Sequence, residues 1–97
     1  MNEFMLVSNK EIMTRLYETA SEAKVMVRAA DDINDFCAAG ELILRYAVMV
    51  ALTPPELQAE FMNTFPMTPT LHTIFALYIV AGERVAQNAH ALSGRGA

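Results

Sequence analysis

The chain has 97 residues, 54% of them hydrophobic, a formal net charge of −4 and a single cysteine. That apolar content excludes disorder as the default, and the length suits one domain. Seven Lys and Arg spread along an acidic chain lack the clustered cations that nucleic-acid binding draws on.

The first predicted helix, about residues 9–30, opens at a capping box: Ser8 accepts from the amide of Glu11, whose carboxylate reaches back to the amide of Ser8. Val7 and Ile12 stand where a hydrophobic staple closes over it. Ile12, Leu16, Thr19, Ala23, Met26, Ala30, Ile33 and Cys37 then recur at alternating steps of four and three, a heptad-like seam. Small residues at Thr19, Ala23 and Ala30 predict close contact with a neighbouring helix.

Asp31 or Asp32 caps the second helix, about 32–52, and places its charge at the positive end of the dipole. Cys37 reads as a small buried thiol, and one cysteine excludes an internal disulfide framework or a cysteine-based zinc site within one chain. Gly40, costly in a helix interior, predicts another backbone passing close. Arg45, inside an apolar run, is expected to pair with Glu41 one turn earlier.

Thr53-Pro54-Pro55-Glu56 predicts a short third helix, about 54–64, with Thr53 as its cap, Pro54 at its first position and Leu52 with Leu57 as its staple. Phe65-Pro66-Met67-Thr68-Pro69 stops it. A fourth helix runs from about 69 to 92, with Gly94 ending it; residues 1–7 and 93–97 are expected to be mobile.

Two runs, 42–52 and 74–81, are apolar on nearly every face, and such helices must be covered from several sides. A chain this short removes only roughly two-thirds of its unfolded surface from water, so a second copy or another protein is expected to cover the remainder. Neither run reaches the about 20 apolar residues of a membrane span, and Met1–Val7 lacks the features of a secretory signal. The expectation is a cytoplasmic protein that engages neither membrane nor nucleic acid.

Residue patterns for chemistry are sparse. Asp31-Asp32-Ile33-Asn34-Asp35 spells the acidic pattern with which isoprenoid synthases hold magnesium diphosphate, yet those enzymes need a second acidic motif across a large cavity, and helix capping accounts for these residues. Glu18 with Glu22, and Glu56 with Glu60, lack the matching pairs of helical pyrophosphohydrolases. His72 and His90, at 1.5 Å per residue, stand roughly 27 Å apart on one helix, too far to share a metal. No nucleophile elbow or phosphate-binding glycine loop is present.

The sequence therefore predicts an all-α, four-helix bundle-like single domain, three longer helices and one short, that self-associates and needs no metal or cofactor. The leading expectation is a non-enzymatic homo-oligomer, dimer or larger, that binds another protein, as small inhibitors, anti-activators and adaptors do, including those of phages and mobile elements. Its protein-binding candidates are Phe61, Met62, Phe65 and Met67, where aromatic and thioether groups gather beside a proline break; the alternative for that segment is a structural lid. A second expectation is an oligomer that sequesters a small ligand between subunits through Arg45, Tyr46, Tyr78 and Arg84. A third is a small metal-dependent phosphohydrolase.

Overall fold

A computed structural model describes the backbone of residues 8–96 and the side chains of residues 8–91. Within them all regular structure is helical: α1 (Asn9–Ala29), α2 (Ile33–Leu52), α3 (Pro55–Phe61) and α4 (Met67–Gly96). The Ser8 hydroxyl accepts the Glu11 amide at 3.1 Å, while the Glu11 carboxylate pairs with Arg15 at 3.3 Å. Val7, half of the expected staple, lies outside the described residues. Asp32 is the cap of α2 and accepts the Asp35 amide at 2.8 Å.

The third helix starts differently from expectation. Thr53 does not cap it: the Thr53 hydroxyl is buried and donates back to the Met49 carbonyl at 2.7 Å, closing the end of α2. Pro54 precedes α3, and Pro55 takes its first position, where a missing amide hydrogen does no harm. The connection is secured instead by Gln58, whose amide nitrogen donates to the carbonyls of Val50 (3.1 Å) and Thr53 (3.0 Å) while its oxygen accepts the Thr68 hydroxyl at 3.2 Å. Leu52 points into solvent and forms no staple with Leu57.

α4 begins two residues earlier than expected because Pro69 falls in its first turn, where no intrahelical amide is required. It also continues past Gly94 to Gly96, so most of the stretch expected to be mobile is helical, while residues 1–7 lie outside the described set.

α1 and α2 form an antiparallel pair joined by a tight break at Ala30–Asp32, and α4 runs back along both, antiparallel to α2. Their shared core contains Leu16, Ala20, Ala23 and Val27 from α1, Ala39, Leu42, Ile43 and Tyr46 from α2, and Ile74 and Ala81 from α4. The alanines let the helix axes approach, and each buried Leu, Ile or Val contributes about 1.5–3 kcal/mol. Phe61, Phe65 and Met67 close one end over Tyr46 and Tyr17.

Candidate functional site

A three-helix arrangement gives each helix one covered side, yet α2 is apolar on the other side as well. Ile33, Cys37, Leu44 and Val48, at steps of four, seven and four, form an exposed stripe down α2. Phe75 and Ile79 start a matching exposed stripe on α4 that continues through Ala86. Ile33 and Ala86 line one cleft, so the two stripes flank the same α2–α4 seam. No single helix among the described residues is long and apolar enough to cross a membrane.

That cleft, about 500 Å³, lies where the N-terminus of α2 passes α4. Its walls are Ile33, Phe36, Gly82, Val85, Ala86 and Ala89, with Asp31, Asp32 and Asn88 at its edge. It is an apolar recess with a thin polar margin. Asp31 lies 3.8 Å from Arg84 and Asp32 is engaged as a helix cap, so both carboxylates already have structural partners.

The four residues proposed for protein binding divide sharply. Phe61, Phe65 and Met67 are buried in the core, and Met62 alone of the four is exposed. Phe65 meets Tyr17 and Tyr46 edge to face, with centroids 5.7 and 6.5 Å apart. This is the arrangement of a structural lid: the proline break turns the chain so that its aromatic groups fall inward over the end of the bundle.

The four residues proposed for an anionic ligand are not brought together. Tyr46 is fully buried and donates to the Met67 carbonyl at 2.8 Å, while burial pushes its phenol far above its ordinary range. Tyr78 donates to the Phe36 carbonyl at 3.2 Å, and its phenol is raised by burial and then by the charge of nearby Cys37. Arg84 donates to the carbonyls of Ala30 (3.0 Å), Val27 (3.1 Å) and Arg28 (3.4 Å), closing the end of α1 from another helix. Arg45 is exposed, and the ion pairs among the described residues, Arg15–Glu11 and Arg84–Asp31, do not include it or its expected partner Glu41.

Two further expectations are corrected. Cys37 is exposed, because the face of α2 on which it lies is the apolar side that this bundle leaves open. The close neighbour of Gly40 is the Tyr78 ring, a side chain and not a backbone. His72 and His90 both face solvent on α4, and among the described residues no three His, Cys, Asp or Glu side chains cluster as a metal site would require. No family model matches the chain, and neither curated proteins nor solved structures give a significant match.

Proposed function

We propose that this chain is a non-enzymatic, self-associating helical protein that acts by binding another protein, in the manner of small inhibitors, anti-activators and adaptors. One observation carries the proposal: the folded chain leaves large apolar side chains on α2 and α4 in water, aligned in two stripes beside one seam. Contiguous exposed apolar area of this kind marks interaction surfaces. The polar side chains in the interior support the same view, since Tyr46, Gln58 and Arg84 are occupied in tying backbone carbonyls.

A second reading, capture of a small apolar molecule, is favoured by the recess between Phe36 and Val85, whose volume falls within the range of ligand pockets. Copurification from the native host with mass spectrometry separates the two. A stoichiometric protein that is lost on Leu44→Asp supports the leading proposal. A small molecule released on denaturation supports the second, and recovery of neither overturns both.

A further inference from the structure

We infer that the α2–α4 seam is a two-fold interface and that its occupant is a second copy of this chain. The inference rests on the self-association proposed above and assigns it to one face. Ile33, Leu44, Val48, Phe75 and Ile79 each keep between 45% and 65% of their surface exposed. Together they offer on the order of 400 Å² of apolar area. A standard interface removes about 800 Å² from each partner, about two-thirds of it apolar in homodimers. The five side chains, with Cys37 and the alanines between them, supply most of one such interface and not enough for two. One interface of this kind closes as a dimer.

The rim favours a copy over a partner of a single charge sign. Exposed Glu41 and Arg45 lie on α2, one turn apart, and exposed Glu83 lies on α4. A border that carries both signs offers a second copy of itself carboxylates for its Arg45. A uniformly basic or acidic partner meets repulsion at part of that border. Docked this way, two α2–α4 layers form a four-helix arrangement with α1 on each outer side, and the apolar runs are covered at Leu44, Val48, Phe75 and Ile79 as well as on their core sides.

Cys37 reports on this directly, because it is the chain's one cysteine, lies between Ile33 and Leu44 on the stripe, and is exposed in the single copy. The purified full chain is examined by sedimentation across nanomolar to high micromolar concentration, with the rate of Cys37 labelling by a thiol reagent measured in parallel. A dimer is expected, with labelling slowed by about fivefold once the total chain concentration reaches about ten times the dissociation constant, where about one fifth of the chain is still monomer. Leu44→Asp and Ile79→Asp are expected to give helical monomers whose Cys37 labels at one rate throughout, whereas Val25→Asp, on the exposed side of α1, remains dimeric.

Three results overturn the inference, and they fail differently. An oligomer whose Cys37 labels freely, or one that survives Leu44→Asp, uses another face and leaves self-association standing. A wild-type monomer at high micromolar concentration removes both.

Discussion

Phe36 and Tyr78 lie parallel, their ring centroids 4.1 Å apart and their planes within 3°. Each ring is seated over a glycine of the opposite helix, Phe36 against Gly82 on α4 and Tyr78 against Gly40 on α2. The arrangement is reciprocal but unequal: a Cβ at position 40 collides with the Tyr78 hydroxyl, whereas one at position 82 requires the Phe36 ring to give by a few tenths of an ångström. It brings α2 and α4 together along the seam that both apolar stripes flank.

Gly40→Ala therefore has two opposed effects. Alanine gains about 1 kcal/mol of helix propensity over glycine, but its methyl collides with the Tyr78 hydroxyl, whose ring is held by the stack and by the bond to the Phe36 carbonyl. Overpacking of this kind costs about 1–3 kcal/mol, so a net loss of about 1 kcal/mol is expected in urea denaturation. Adding Tyr78→Phe removes the colliding oxygen, and the double variant is expected to be less destabilised than the sum of the singles. Strict additivity would show that the hydroxyl is not the obstacle.

Arg84→Met is expected to destabilise by about 2 kcal/mol, because it strips a charged donor from carbonyls at the end of α1. Arg84→Lys is expected to recover less than half of that loss: an ammonium cannot span Val27 and Ala30 as the planar guanidinium fork does. Chemical denaturation of both variants measures this, and full recovery by lysine would reduce Arg84 to a charge.

Tyr46 links stability to alkaline pH. An unfolded tyrosine loses its proton near its ordinary value of 10.0, whereas the buried phenol is pushed well above that value by desolvation. The folded state thus holds a proton that the unfolded state has released. The resulting contribution is complete below about pH 10 and declines as pH rises beyond it. Tyr78, raised in the same direction, adds to the decline. Tyr46→Phe is expected to cost about 1 kcal/mol at neutral pH by removing the bond to the Met67 carbonyl, and to flatten the alkaline fall. An unchanged alkaline slope would show that the decline has another source.

Phe65→Ala tests the lid. The ring is 8% exposed and meets Tyr17 and Tyr46 edge to face, so its removal is expected to cost about 3–5 kcal/mol of stability. If the variant melts like the wild type, the segment is not part of the core.

The starts of α1 and α2 were legible because a cap is a local contract between neighbours in sequence. Ser8 with Glu11, and Asp32 with Asp35, needed no knowledge of the rest of the chain. Thr53 failed as a cap because its hydroxyl had a second local choice, the Met49 carbonyl one turn back, and the packing of Gln58 across the junction accompanies that choice. The exposure of Cys37 was not legible for a different reason. Periodicity identifies a covered face only when the opposite face is polar, and α2 is apolar on both. Arg84 belongs to the same class: nothing within one turn of it announces that its partners lie on α1, more than fifty residues earlier.

Much of the core of this bundle is alanine, valine, leucine and isoleucine, which grip almost equally well if one helix slips by a turn along its neighbours. Polar attachments, together with the ring-on-glycine stack, remove that freedom, and midway along the seam one of them is the Tyr78 hydroxyl on the Phe36 carbonyl of α2. Near one end, the carbonyl of Met67 on α4 receives the Tyr46 hydroxyl from α2. Farther along, Arg84 and Asn88 reach the backbone around the α1–α2 break, at Val27, Ala30 and Asp31. A displacement of one turn, about 5.4 Å, breaks these attachments together and leaves several carbonyls without their side-chain donors inside or at the margin of the bundle. Thus α4 has a single longitudinal setting, and the two stripes beside it are held as one fixed pattern instead of a family of shifted ones.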